Sequence, residues 1–143
     1  IEERKKYYAE DDFYHMVEAD VRQQKWLEAV PKAKHAIIVM EGVSMYFEPQ
    51  ELRKVLEQIS AHFETVNLLM DCYTTFAAKA SKYKNPIKTV GAQTVYGLDQ
   101  PKYLEEQTGI RFVKEHDMTP QNFIEELNGM EKHIFKIFLQ VNL

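Results

Sequence analysis

The chain has 143 residues, of which 45% are hydrophobic and 28% charged, and its net charge at pH 7 is -4. This length and composition are typical of one globular domain, and the mild negative charge provides no basic stripe for nucleic acid. No stretch approaches the roughly 20 apolar residues of a membrane span. The single cysteine, Cys72, excludes an internal disulfide and favours a reducing, cytoplasmic setting.

The first thirty residues predict short elements with polar ends. Residues 1–10 carry alternating charges, which are typical of the end of a solvated helix. Residues 14–19 are expected to form a short strand that Asp20 closes. Residues 21–30 predict a helix, because Asp20 and Gln23 have the spacing of a capping box at its start.

The central part of the chain gives the clearest pattern. Residues 36–40, Ala-Ile-Ile-Val-Met, are an unbroken apolar run that is too short for a helix. Such a run predicts a strand buried on both faces, as in a parallel sheet. Residues 50–63 have apolar positions three and four apart and predict an amphipathic helix, with Pro49 at its favoured first position. Residues 65–72 predict another strand.

The second half of the chain is less regular. Gly109 has the position of a glycine that ends a helix, and Thr119 with Pro120 has the pattern that begins one. The tail is apolar on nearly all sides and predicts a buried or partner-bound helix. In chain order we expect a helix at 75–82, a loop at 85–96, a helix at 100–107, a strand at 110–116, a helix from Gln121 and the tail helix at 130–143.

Strands that alternate with helices predict an α/β fold with a mostly parallel sheet and helices on both faces. The strand at 110–116 is the candidate for an antiparallel member. Four predicted strands are fewer than complete doubly wound domains have. The chain also begins at Ile1 in a pattern that is already helical, so we expect it to be part of a longer protein.

Three carboxylates follow predicted strands. Asp20, Glu41 and Asp71 each stand where a strand ends, and parallel strands bring their carboxyl ends to one edge of the sheet. These side chains could form the floor of a site for a polar ligand. Alternatively, each is a helix cap or a solvated strand end. Glu41 is the strongest candidate because Gly42 and a mostly apolar segment follow it.

Two tyrosines lie a few residues beyond strand ends. Tyr46 and Tyr73 could line an aromatic pocket or donate a hydrogen bond to a substrate oxygen, although either could also be a packed loop residue. No two of the five histidines are four residues apart, so a metal site is not expected. The five glycines form no G-x-G pair, so no dinucleotide or phosphate loop is expected in this chain.

One longer motif resembles a known family. The segment Ile37 to Phe47 contains Glu-Gly-Val-Ser-Met-Tyr and is followed by Pro49-Gln50-Glu51. Together with the upstream Asp20-Val21 pair and Trp26, it resembles the leucine carboxyl methyltransferase family, most nearly its bacterial polyketide-synthesis O-methyltransferases. The resemblance covers essentially the whole chain but only the later part of the family's domain.

The resemblance implies the Rossmann-like fold of S-adenosylmethionine-dependent methyltransferases, truncated at the N-terminus and at the C-terminus. Residues 1–143 would then be the C-terminal portion of a single methyltransferase domain. The family's glycine-rich loop after its first strand and its ribose-binding acidic residue after the second strand are not in this chain. The family's closing strand, which should follow 130–143, is not in this chain either.

The resemblance also implies roles for individual residues. Asp20 and Val21 would hold the adenine of S-adenosylmethionine, and Glu41 with Gly42 would lie beside its methionyl part. Tyr46 would lie near the methyl group and the acceptor. Tyr46 is therefore a catalytic candidate. Tyr73 is a second one, because it lies just beyond the end of a predicted strand.

The expected function is S-adenosylmethionine-dependent O-methylation of a small-molecule hydroxyl or carboxylate. The alternatives are a non-catalytic remnant or interaction module of the same fold and a nicotinamide-dependent Rossmann enzyme. Without its first strands, the sheet would expose the edge of the strand at 36–40. We therefore also expect self-association through that unpaired edge.

Overall fold

A computed structural model of the protein describes residues 1–81, 94–118 and 121–140. These residues form two compact units, Ile1–Arg111 and Phe112–Leu143. Most of the predicted loop at 85–96, the Thr119-Pro120 pair and the last three residues of the tail lie outside the described residues.

The described elements alternate between helix and strand in the central part of the chain. Among the described residues, three short 3-10 helices lie at Gln24–Ala29, Ser44–Tyr46 and Pro101–Leu104. The helices and strands are, in chain order, α1 Glu2–Lys5, β1 His35–Met40, α2 Pro49–His62, β2 Thr65–Met70, α3 Thr75–Ala80, α4 Glu105–Thr108, α5 Gln121–Glu126 and α6 Gly129–Gln140.

Strands β1 and β2 pair in parallel, with His35 opposite Thr65 and Met40 opposite Met70. The predicted strands at 36–40 and 65–72 and the helix at 50–63 are therefore confirmed, with small changes at their ends. Helix α2 connects the two strands, as the crossover of a parallel pair requires. The two carboxyl ends consequently lie side by side.

Helix α2 supplies most of the hydrophobic core. Its apolar residues are almost completely buried, and one face of the sheet packs against the same core cluster. The helix begins with Pro49 as its first residue, and the backbone N–H of Glu48 donates to the Glu51 carboxylate at 3.0 Å. This local pairing fixes where the helix begins. The buried residues of α2 are Leu52, Val55, Leu56 and Ile59.

The other face of the sheet differs from the prediction. The run at 36–40 predicts burial on both faces, yet Ile37 and Val39 on β1 are 82% and 63% exposed, and Leu69 on β2 is 66% exposed. The prediction that helices cover both faces of the sheet is wrong for the described residues. Helix α2 covers one face, and no described element covers the other. The apolar run indicates that a strand must be buried but does not identify what buries it.

Two predicted strands are absent from the structure. Residues 14–19 and 110–116 are irregular, because no described strand offers them a hydrogen-bonded neighbour. The helix predicted at 21–30 is shorter and tighter, a 3-10 helix at Gln24–Ala29. The predicted capping box is also wrong, because Gln23 and not Asp20 occupies the N-cap position. The Asp20 carbonyl instead accepts the Gln23 backbone N–H in a turn.

The remaining helices agree better with the sequence. Helix α3 lies inside the predicted 75–82, and the predicted 100–107 helix is a 3-10 turn that continues into α4. Gly109 ends α4 with a left-handed φ of 70°, as predicted. The Ser60 hydroxyl donates to the Thr108 carbonyl at 2.6 Å and so ties the end of α4 to α2.

The second unit consists mainly of α5 and α6. Ile124 is fully buried, while Glu125 forms ion pairs with Lys132 at 2.9 Å and Lys136 at 2.8 Å. The tail is helical up to Gln140, which confirms the predicted helix over its described part. None of the described helices is long and apolar enough to cross a membrane.

Candidate ligand site at the strand ends

Asp71 joins the carboxyl ends of the two strands. Its backbone N–H donates to the Met40 carbonyl at 3.2 Å, which continues the ladder by one bond. Its carboxylate oxygen Oδ2 accepts the Gly42 N–H at 2.9 Å, and its carbonyl accepts the Ser44 hydroxyl. The loop after β1 is therefore held against the end of β2 by side chain and backbone together.

Gly42 is the turning point of this loop. Its φ is +67°, a left-handed conformation that side chains rarely adopt, and the space where a Cβ would stand is open. Glycine is thus required for the backbone conformation and not for close packing. The turn presents the Gly42 N–H to Asp71 and leaves the preceding Glu41 exposed at the sheet edge.

The second oxygen of the Asp71 carboxylate, Oδ1, is buried and has no hydrogen-bond partner among the described residues. Buried carboxylate oxygens are normally paired, because leaving one unpaired costs about 1–3 kcal/mol or more. This oxygen can therefore accept a hydrogen bond from a donor outside the described chain. Since Met40 lies opposite Met70, Glu41 and Asp71 are the next residues of neighbouring strands, as the predicted rim of carboxylates requires.

Asp20 differs from the other two carboxylates. It does not follow a strand, and its carboxylate accepts the Arg22 guanidinium through Nε and Nη2, both at 2.9 Å. These hydrogen bonds from Arg22 lower the pKa of Asp20 below its usual value. Asp20 borders an open depression of about 330 Å³ together with Trp26, while the next residue, Val21, packs against the core.

A smaller cavity of about 110 Å³ lies where the loops after β1 and β2 meet α2. Tyr73, one of the two predicted catalytic tyrosines, lines this cavity. Tyr46, the other, is half-buried in its 3-10 helix and is not among the lining residues. Aromatic and apolar residues dominate the walls, which include Met45, Phe47, Arg53, Tyr96, Leu98 and Tyr103.

The segment 96–99 forms one wall of this cavity and is bound to both strand exits. Its Tyr96 N–H donates to the Met45 carbonyl at 2.8 Å, and its Leu98 N–H donates to the Tyr73 carbonyl at 2.7 Å. A Cβ on Gly97 would lie 2.4 Å from the Cα of Thr75, so only glycine fits there. The wall is therefore fixed by backbone contacts.

Asp99 completes the attachment of this wall. Its carboxylate accepts the Thr75 backbone N–H at 2.6 Å and also the Thr75 hydroxyl, and these hydrogen bonds lower the pKa of Asp99. The site residues predicted from the sequence did not include this segment. The sequence feature that marks it is the Gly97-Leu98-Asp99 triplet, which follows the predicted loop at 85–96.

The chain is similar to tetracenomycin polyketide synthesis O-methyltransferase TcmP of Streptomyces glaucescens, with 28% identity over 135 residues. The chain is a distant homologue of a polyketide O-methyltransferase. The similarity covers 94% of this chain and 50% of the relative, so the chain spans about half of the relative's length. No family model and no solved structure matches the chain.

The homology confirms the resemblance to the polyketide-synthesis O-methyltransferases. The individual site roles stay predictions: Asp20, Val21, Glu41 and Gly42 for the cofactor, and Tyr46 and Tyr73 for catalysis. The structure brings Gly42 together with Asp71 and leaves Asp20 paired with Arg22. Among the described residues there is no group of three side chains that could hold a metal ion.

Proposed function

We propose that this chain is part of an S-adenosylmethionine-dependent O-methyltransferase of Rossmann-like fold. Its acceptor would be a small-molecule hydroxyl or carboxylate. The observation that carries the proposal is the homology over 94% of the chain to a polyketide O-methyltransferase. The parallel strand ends that meet at Asp71 support it, because α/β sheets bind ligands at that edge.

The side chains at this edge suit the cofactor. The exposed Glu41 carboxylate and the unpaired Asp71 oxygen are acceptors for an ammonium group, which the methionyl part of S-adenosylmethionine carries. The depression beside Asp20, at about 330 Å³, reaches the lower end of the usual size of ligand pockets. The Asp20–Arg22 pair is exposed to solvent, so a ligand amine can compete with Arg22 for that carboxylate.

Bound there, the cofactor would supply a methyl group on a sulfonium. Asp20 and Val21 would hold the adenine, and Glu41 with Gly42 would hold the methionyl part. The chain would act mainly by aligning the acceptor oxygen with the methyl group. Tyr73, which lines the 110 Å³ cavity, and Tyr46 would then position the acceptor. A carboxylate acceptor is already ionised at neutral pH, whereas a hydroxyl acceptor requires a base.

One alternative also has an observation in its favour. The open sheet face of Ile37, Val39 and Leu69 is what an interaction module would present to a partner. The homology to an O-methyltransferase favours methyl transfer over both this module and the nicotinamide-dependent alternative. The module is therefore the second candidate.

Calorimetric titration with S-adenosylhomocysteine separates these candidates. It should be carried out on this chain and on a fusion that adds the unmatched half of the relative. Binding by the fusion, with or without binding by the chain alone, supports the methyltransferase. If neither protein binds S-adenosylhomocysteine while both unfold cooperatively, the proposed function is wrong and the interaction module is favoured.

A further inference from the structure

Three loop segments beyond the strand ends bind one another in a closed arrangement, which we call the exit ring. Each segment has hydrogen bonds to both of the others, so none can move without changing its contacts to the other two. A contiguous hydrogen-bond network of this kind can carry a local change from one side to the other. The segments are 42–45 after β1, 71–75 after β2 and the wall at 96–99.

Asp71 joins the first two segments of the exit ring. Its carboxylate accepts the Gly42 N–H at 2.9 Å, and its carbonyl accepts the Ser44 hydroxyl. The second oxygen of its carboxylate is buried and has no partner among the described residues. These groups lie at the strand ends, so a ligand that binds there would contact one side of the exit ring.

Backbone hydrogen bonds join the wall to the other two segments. The Tyr96 N–H donates to the Met45 carbonyl at 2.8 Å, and the Leu98 N–H donates to the Tyr73 carbonyl at 2.7 Å. Because both bonds use peptide groups, a displacement of either strand exit acts directly on the backbone of the wall.

Asp99 and Thr75 attach the wall a second time. The Thr75 backbone N–H donates to the Asp99 carboxylate at 2.6 Å, and the Thr75 hydroxyl donates to the same carboxylate. Hydrogen bonds to a charged acceptor are roughly twice as strong as neutral ones. The neighbouring Thr74 hydroxyl instead accepts the Ala77 N–H at 3.1 Å, at the start of α3. Of these two hydroxyl groups, only that of Thr75 binds the wall within the described chain.

We propose that the exit ring couples ligand binding at the strand ends to the wall at 96–99, with Asp99 as the residue that positions the wall. The two states of the wall are those with the contact between Asp99 and Thr75 formed and broken. A ligand that orders Asp71 lowers the cost of ordering the wall, so occupied strand ends favour the formed contact. That this ligand is S-adenosylmethionine rests on the proposed function, whereas the coupling around the ring does not.

Amide hydrogen exchange of the full chain, measured by nuclear magnetic resonance, tests the role of Asp99. Thr75→Val should speed exchange at the Leu98 N–H by about tenfold, because a charge-assisted hydrogen bond is lost. Thr75→Ser restores the hydroxyl and should return the rate close to that of the unchanged chain. Thr74→Val is the matched control, since it removes a hydroxyl that binds only the start of α3. The amide of Leu56, which is 1% exposed, is the reference for opening of the whole core.

Asp99→Ala removes both hydrogen bonds from the side of the wall. Its effect at the Leu98 N–H, relative to that at Leu56, should be at least as large as the effect of Thr75→Val. This second variant tests the same contact even if Thr75→Val folds poorly.

Ser44→Ala tests whether a change at the strand ends reaches the wall. It removes the hydroxyl bond to Asp71 and should speed exchange at the Leu98 N–H by about threefold, although Ser44 has no hydrogen bond to Leu98 within the described chain. Ser60→Ala is the matched control, since it removes a similar bond from a hydroxyl to the Thr108 carbonyl, outside the exit ring.

Two results from the unliganded chain would overturn the proposal. One is an equal effect of Thr75→Val and Thr74→Val on exchange at Leu98. The other is an effect of Ser44→Ala at Leu98 that is no larger than that of Ser60→Ala.

Exchange in the presence of S-adenosylhomocysteine, on this chain and on the fusion, separates the coupling from the proposed function. Binding should slow exchange at the Leu98 N–H in the unchanged protein, and less so in Thr75→Val. A purely structural role of Thr75 would leave this ligand-induced change the same. Binding without any change at Leu98 would overturn the coupling and keep the methyltransferase. If neither protein binds, the proposed function is wrong, and the result for Ser44→Ala decides the coupling.

Discussion

Side chains alternate along β1 and β2 between a face that α2 covers and a face that lies open, and both faces carry large apolar side chains. On the covered face Ile38 and Leu68 pack against the core cluster. On the open face Ile37, Val39 and Leu69 are mostly exposed. The composition of a strand therefore indicates a need for burial, but the chain connectivity determines which face is covered. Helix α2 covers its face because it is the crossover between the two strands.

The open face has an unpaired edge beside it. Strand β1 pairs only with β2 among the described residues, and its six residues include no proline, Lys, Arg, Asp or Glu that would discourage pairing. Parallel sheets are normally buried on both faces. We propose that this edge and face associate with further polypeptide, which in a solution of this chain alone is a second copy.

The largest difference between the faces should appear in stability. Leu56 is 1% exposed under the covered face, so Leu56→Ala should lower the free energy of unfolding by about 2–5 kcal/mol. Val39→Ala on the open face should change it by less than about 0.5 kcal/mol. Urea unfolding followed by circular dichroism, at a concentration at which the chain is monomeric, measures both values. Equal losses in the monomer would show that the open face is covered within the chain itself.

The second prediction concerns association through the open face. Ile37→Lys places a charge on an exposed apolar position, so it should abolish self-association with little loss of stability. Analytical ultracentrifugation at micromolar concentration should show oligomers for the unchanged chain and monomers for the variant. A well-behaved monomer for the unchanged chain would eliminate the proposed association.

A smaller loss of stability is expected at the start of α2, the helix that covers one face of the sheet. Glu51→Ala removes the acceptor for the Glu48 backbone N–H and should cost about 1 kcal/mol. Glu57→Ala is the control, since Glu57 is exposed within the same helix and outside its first turn. Urea unfolding of both variants compares them. Equal stabilities would show that the Glu51 contact does not stabilise the helix.

The smallest effect should come from exposed ion pairs. Hydrogen bonds from the ammonium groups of Lys136 and Lys132 lower the pKa of Glu125 from its usual value of 4.5 to about 2. Their stabilising contribution is therefore complete above about pH 4.5 and is lost as the pH falls through about 2. Glu125→Gln should reduce the acid dependence of unfolding in that window. Identical pH profiles for both proteins would contradict the role of these pairs.

Local patterns predicted the sheet and α2 well, since the apolar run at 36–40 and the spacing of 50–63 determine their elements directly. The strands predicted at 14–19 and 110–116 were wrong, because a strand also requires a hydrogen-bonded neighbour, which no local pattern supplies. At the site, Glu41 and Gly42 could be found from their place after β1. The role of Asp71 in holding Gly42 and the position of the wall at 96–99 depend on contacts between distant segments.

The central claim is that the carboxyl ends of β1 and β2 form part of a cofactor site, and one calorimetric comparison tests it most directly. The fusion with the unmatched half of the relative is titrated with S-adenosylhomocysteine as the unchanged protein, as Glu41→Gln and as Glu64→Gln. Glu64 is exposed and precedes β2 at the opposite end of the sheet, so it is a matched control.

Glu41→Gln should weaken binding by about 1.5–3 kcal/mol, roughly 10- to 150-fold, because a charge-assisted hydrogen bond is lost. Glu64→Gln should bind like the unchanged fusion. If Glu41→Gln binds as tightly as the unchanged fusion, or if no form of the fusion binds, the cofactor site does not lie at these strand ends.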